Sequence, residues 1–239
     1  MIPQTKTDGL RNNIGYLFIG IWICALIGFH KTYTQFFPSF KEFQWEQHFH
    51  GAMLMCWFAL LILQPFLIKY GKKKLHRTIG KAGYLIAPLV CYSIFMVTKM
   101  VYYREIEMRP EESVLAQLAL DIPTIFIFGL FFILAMLNRQ KSDVHMRYMI
   151  GTSLLMLGPG LGRALIIFGG VPFPLAVSVV FYIGDAIALL FLFNDWRKKV
   201  DIKPLLTVVL LLIINHLFWI FQESVIWQKM AKWFVDTTF

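Results

Sequence analysis

An all-α bundle of seven transmembrane helices is what the sequence predicts, and three observations carry that prediction. Hydrophobic residues make up 58% of the chain and mean hydropathy is +0.62, whereas soluble domains sit near about 45–50% apolar. Charged residues fall to 15% against a usual ~25%. The apolar residues collect in seven long runs separated by short polar loops. A 239-residue chain of this kind cannot hide its apolar surface in one soluble core and needs lipid as its solvent. Seven spans use up nearly all of it, so residues 1–239 read as a single transmembrane domain with no room for a soluble catalytic one.

The runs lie at 14–30, 50–68, 79–102, 117–137, 146–166, 173–193 and 204–221. They are 17 to 24 residues long, enough to cross about 30 Å of hydrocarbon at about 1.5 Å per residue. The first begins at Ile14 behind Lys6 and Arg11. No small-residue cleavage site follows it, so it reads as an uncleaved span. The second runs from His50 to the basic loop at 69–78. The third runs from there to the acidic loop at 103–112. The fourth ends before Arg139. Gly169-Gly170, Pro172 and Pro174 separate the fifth from the sixth, which would otherwise merge into one impossibly long span. The seventh follows Lys203. Tyr102, Tyr103, Trp196 and Trp227 fall where interfacial anchors belong.

Loop charge sets the orientation. Fourteen Lys and Arg lie in the N-terminal tail and the loops at 69–78, 138–147 and 194–203, against six in the opposite loops. The positive-inside rule places the N-terminus in the cytoplasm and the C-terminus outside, in the cell (inner or plasma) membrane. This distribution explains the net charge of +9 without nucleic acid as a partner. Cys24, Cys56 and Cys91 lie inside apolar runs and none pairs in a CxxC, so they read as small buried hydrophobes.

Ionisable residues inside spans are costly and mark candidate sites. On the cytoplasmic side, His76 opens the third span and His145 the fifth. The helical face of His76 carries Gly80, Gly83 and Ala87, a smooth strip that admits a neighbouring helix or a flat macrocycle. The face of His145 carries Met149, Thr152, Met156 and Arg163. On the outer side, His50 shares its face with Trp57, Leu61 and Gln64. Asp121, Arg163, Asp185 and His216 lie in the fourth to seventh spans, and an Arg in lipid calls for carboxylates on adjacent spans. His30 and His48 read as exposed outer residues, and Lys81 and Lys99 as snorkelling to the interfaces.

Three chemistries fit this set. Two helix-borne histidines can ligate haem iron. His50, Asp121 and His216 could hold a metal such as zinc. A chain of His, Asp and Arg could relay protons. No HExxH, CxxCH, P-loop or GxGxxG accompanies them, and Gly158-Pro159-Gly160-Leu161-Gly162 reads as a kink or tight packing. Each polar group also has a purely structural reading, as an interfacial residue or as an interhelical hydrogen-bonder.

The stretch His50 to Pro65, then His76-Arg77-Thr78-Ile79-Gly80-Lys81-Ala82-Gly83-Tyr84, then His145-Met146-Arg147-Tyr148-Met149 resembles the bacterial membrane proteins grouped as domain of unknown function 2306. That resemblance covers most of residues 48–165 and implies a fold but no activity. His50-Gly51 with Met53, and His76 with Gly80, are similar to helix starts of transmembrane b-type cytochromes of the ascorbate-reducible and ferric-reductase kind. This implies b-type haem, with His50 and His76 as ligands on opposite sides of the membrane. The leading expectation is therefore a haem-binding membrane electron-transfer protein. His76 and His145 are its principal ligand pair and His50 and His216 an outer pair. Arg77, Arg147 and Arg163 would suit the propionates or charge balance, with a redox partner or membrane complex as the implied partner. The alternatives are a transporter or proton-coupled protein working through His50, Asp121, Arg163, Asp185 and His216, or an accessory subunit without chemistry.

Overall fold

The computed structural model describes residues 8–239, and no strand occurs among them. Lys6 and the side chain of Arg11 lie outside what is described. Eleven helices follow in order: α1 (Asp8–His30), α2 (Trp45–Lys69), α3 (Lys73–Gly80), α4 (Gly83–Glu105), α5 (Glu111–Gln117), α6 (Ile122–Leu137), α7 (Ser142–Leu155), α8 (Leu157–Gly169), α9 (Phe173–Arg197), α10 (Lys203–Ile220) and α11 (Val225–Thr238). Seven helical segments are long and apolar enough to cross a membrane, as in a multi-pass membrane protein. They are α1, α2, α4, α5 with α6, α7 with α8, α9 and α10. Large apolar side chains such as Leu85, Phe126, Ile133, Leu190 and Leu210 point outward from them, as lipid-facing residues must.

Four details differ from the hydropathy reading. Residues 73–80 form a separate helix whose Lys73, Lys74 and Arg77 are exposed, so His76 sits beside the third span rather than in it. The fourth span begins at Glu111 and breaks over 118–121. Pro123 has no N–H to continue the ladder, and it stands in the first turn of the restarted helix. The fifth span breaks at Met156, where Pro159 leaves the Leu155 carbonyl without its i+4 donor. The fourth difference is α11, which hydropathy passes over because polar residues interrupt it. Ser224 caps it by accepting from the Trp227 N–H at 3.3 Å. Trp227 is not an interfacial anchor: it is 3% exposed, and its indole N–H donates to the Leu115 carbonyl at 2.9 Å.

The bundle core lies around Trp57, Leu61, Phe128 and Phe131. A second apolar cluster joins α5, α11 and the end of α4 through Tyr102, Val114, Leu118 and Trp227. α1 packs most extensively on α8. At their crossing a Cβ on Gly28 would overlap the carbonyl oxygen of Gly160, and one on Gly160 would come within 2.6 Å of the Ala25 Cα. The glycine-rich stretch of the fifth span is thus tight helix packing.

Candidate functional site: two polar clusters along one helix

α2 starts at the acidic end of the bundle and α8 finishes there. His50 lies five residues into α2, and Arg163 lies six before the end of α8, so both sit roughly 8 Å inside that end. His50 Nδ1 is 3.0 Å from the Ser93 hydroxyl, which donates its one hydrogen to the Val90 carbonyl at 2.8 Å. Ser93 can therefore only accept from His50. In its neutral form His50 carries the proton on Nδ1 and leaves Nε2 as a free acceptor. Asp121 ends the turn at which the fourth span breaks, and the Thr98 side chain interacts with its carboxylate. Ser93 and Thr98 are both almost fully buried. Arg163 acts electrostatically on both His50 and Asp121. Its Nη1 donates to the Pro159 carbonyl at 3.2 Å, and its guanidinium lies 4.3 Å from the Phe29 ring centre. Among the described residues it makes no ion pair within 4.0 Å.

Asp185 does not face Arg163. It accepts from Nδ1 of His216 at 2.8 Å, between α9 and α10, and His216 stacks on Phe181. No group of three or more His, Cys, Asp or Glu able to hold a metal ion occurs among the described residues, so His50, Asp121 and His216 do not assemble as a triad. His48 is half-buried rather than exposed: its Nδ1 meets the Tyr33 hydroxyl at 2.5 Å, inside a nest formed with Phe40 and Phe43.

A second cluster lies at the basic end. The donors and acceptors around the Gln64 amide place its oxygen on the Gly80 N–H at 3.1 Å and its nitrogen on Nδ1 of His76. His145 donates from Nδ1 to the Ala135 carbonyl at 2.9 Å. Both imidazoles are thus oriented through Nδ1. They are close enough for His145 to act electrostatically on His76. The strip below His76 is filled by neighbouring helices: Gln64 packs over Gly80, and Phe132 packs over Gly83. Arg77 is exposed.

Burial pushes the His76 imidazole below its ordinary value of 6.5, and the charges of His145 and Arg77 act in the same direction. The unfolded chain therefore takes up this proton first. The contribution of His76 to stability is complete above about pH 6.5 and is lost as pH falls below it. The expected result is a melting temperature that declines on acidification less steeply in His76→Gln than in the parent. Superimposable acid limbs would rule this out.

Arg147 is buried elsewhere at the same end. Its Nε donates to Asp195 at 2.5 Å and its Nη1 to the Asp143 carbonyl at 2.7 Å, with the two side chains 1% and 2% exposed. Sequence reasoning passed over Asp195, Ser93 and Thr98. One signal was present: Asp195 lies seven residues after Ala188, two helical turns along the buried face of α9.

His50 and Gln64 stand on one face of α2, about 21 Å apart at the helical rise. Trp57 and Leu61 lie between them, 1% and 2% exposed. Phe128 and Phe132 meet Trp57 edge-to-face at 5.2 and 5.7 Å. One helix thus carries both polar clusters, separated by an aromatic barrier.

No family model, curated protein or solved structure matches the chain.

Proposed function

We propose that the chain is a proton-coupled transport protein, with His50, Asp121 and Arg163 as its proton and charge site. One observation carries this reading. Arg163 of the fifth span acts electrostatically on both His50 of the second and Asp121 of the fourth, the fourth span is broken at Asp121, and the fifth is broken two turns before Arg163. Broken membrane helices that surround polar groups are how transporters build sites within the bilayer. His50 Nε2 is the entry acceptor from the acidic end. Arg163 opposes a second positive charge beside it, so a proton is retained there most readily while Asp121 remains ionised. The aromatic barrier around Trp57 separates this site from the His76 and His145 pair. Passage requires that barrier to open, which is the alternation expected of a carrier. The basic end faces the cytoplasm, with the N-terminus on that side and the C-terminus on the other.

The test is proton entry into proteoliposomes holding a pH-sensitive dye, driven by a potassium diffusion potential. The parent protein should acidify the lumen faster than protein-free vesicles, and Asp121→Asn should slow entry roughly a hundredfold, as for loss of a proton-transfer group. Equal rates in parent and protein-free vesicles would overturn the reading.

A second reading places b-type haem between His76 and His145. It is favoured by His145, whose Nδ1–H donates to the Ala135 carbonyl and leaves Nε2 available as a ligand, whereas the Gln64 amide donates to Nδ1 of His76 and so places that ring's proton on Nε2. Haem would supply one-electron transfer to a redox partner. Against it stands the packing of Gln64 and Phe132 over Gly80 and Gly83, which fills the strip a macrocycle would take. A reduced α-band that disappears in His145→Ala would establish this reading. A colourless protein from haem-replete cells would remove it.

A further inference from the structure

At the basic end a cleft of about 430 Å³ opens between the loops that precede α7 and α10. Its lining includes Lys141, Ser142, Asp143, Arg147, Asp201 and Pro204. Arg147 is 1% exposed, and its Nε and Nη1 are engaged by Asp195 and by the Asp143 carbonyl. Its Nη2 carries two further N–H groups and has no hydrogen-bond partner. A buried guanidinium with open donors is costly unless an acceptor reaches it. The first turn of α7 adds to this. Val144 and His145 bond the Lys141 carbonyl, while the N–H groups of Ser142 and Asp143 precede the intrahelical ladder. These donors and the dipole of a 14-residue helix favour negative charge at that point.

The surrounding charge has the same sign. Lys141 lines the cleft, Arg139, Lys198 and Lys199 belong to the same two loops, and Lys203 begins α10. Two carboxylates also line it. Asp201 is engaged by the Lys203 N–H at 3.1 Å, and Asp143 has an interaction of its own. The cleft lies where the fifth and seventh spans begin, which is headgroup depth.

We propose that this cleft binds phosphate oxygens, those of an anionic lipid headgroup. Arg147 Nη2 and the first turn of α7 receive the phosphate, and Lys141 closes over it from the rim. The two N–H groups of Nη2 can make charge-assisted bonds to phosphate oxygens, and basic pockets between membrane helices recognise such headgroups.

The test is thermal unfolding of the full-length protein in neutral detergent. Phosphatidylglycerol, phosphatidylcholine or inorganic phosphate is added in turn. Phosphatidylglycerol should raise Tm by about 5 °C, as a ligand well above its Kd does, with little shift from phosphatidylcholine. Lys141 is exposed, so Lys141→Gln should fold normally and lose at least half of that shift. Arg147→Lys keeps the charge beside Asp195 but lacks Nη2, and should lose most of it. If Arg147→Lys does not fold, the Lys141 variant decides. Equal shifts from the two lipids, or an undiminished shift in Lys141→Gln, would overturn the proposal. An equal shift from inorganic phosphate alone would assign the cleft to free phosphate and overturn the lipid assignment.

Discussion

Asp195→Ala should lower stability by about 3–5 kcal/mol, because it leaves Arg147 as a buried and uncompensated cation. Arg147 and Asp195 are 1% and 2% exposed and meet at 2.5 Å. Arg147 has no second stable position: its Nη1 is tied to the Asp143 carbonyl one turn back on α7, so the guanidinium cannot swing out to the interface. Removing both charges together behaves differently. In Arg147→Met with Asp195→Leu the desolvation cost of both ions disappears, and apolar contact replaces it. The double variant should therefore melt within a few degrees of the parent, while Asp195→Ala melts roughly 10 °C lower. Thermal unfolding of the detergent-purified proteins reads both. A double variant as unstable as the single one would mean that something other than the unpaired charge is at fault.

Gly160→Leu should prevent folding of the bundle. α1 and α8 meet backbone to backbone at Gly28 and Gly160, and the atoms that an added Cβ would strike belong to Ala25 and Cys24 backbone. Backbone cannot rotate away as a side chain can, so the helices must separate. Separation would pull Phe18 and Ile21 of α1 out of the core, where both are almost fully buried. The cost should exceed roughly 3 kcal/mol, the upper range for overpacking. Gly20 lies on the same helix with nothing within 4 Å of an added Cβ, so Gly20→Leu serves as the matched control. Size-exclusion profiles of the solubilised variants distinguish the cases. A monodisperse peak for Gly160→Leu would show that α1 and α8 can pack at a greater distance.

The seven spans were legible because hydrocarbon thickness imposes a length that composition alone reveals. The breaks inside the fourth and fifth spans were less so. Pro123 and Pro159 mark them, but many membrane helices carry proline without stopping, and the outcome depends on what packs beside the freed carbonyls. α11 escaped because Gln228, Lys229, Lys232 and Asp236 interrupt its apolar positions. It is a helix that covers α5, not one that crosses lipid. At the site, His50, Asp121 and Arg163 stood out because charge is expensive in lipid. Their pairing did not follow: Asp185 was as good a partner for Arg163 on the sequence, and only the packing of α9 on α10 gives it to His216. Asp195 was hidden by Trp196 and Arg197, which look like the rim of a span. Its partner lies 48 positions away, a separation at which a single sequence carries no pairing signal.

The contact between Gly28 and Gly160 also has a consequence for biogenesis. The first span is made 132 residues before the glycine that receives it. At about 5–20 residues per second of synthesis the nascent chain waits on the order of ten seconds with that small-residue face unfilled. α2 can join α1 early, since the two pack together in the finished bundle. The opposite side of α1 has no partner until the fifth span leaves the ribosome. A chain that stalls after its fourth span therefore holds an open groove along its first helix. Until then lipid is what fills that groove.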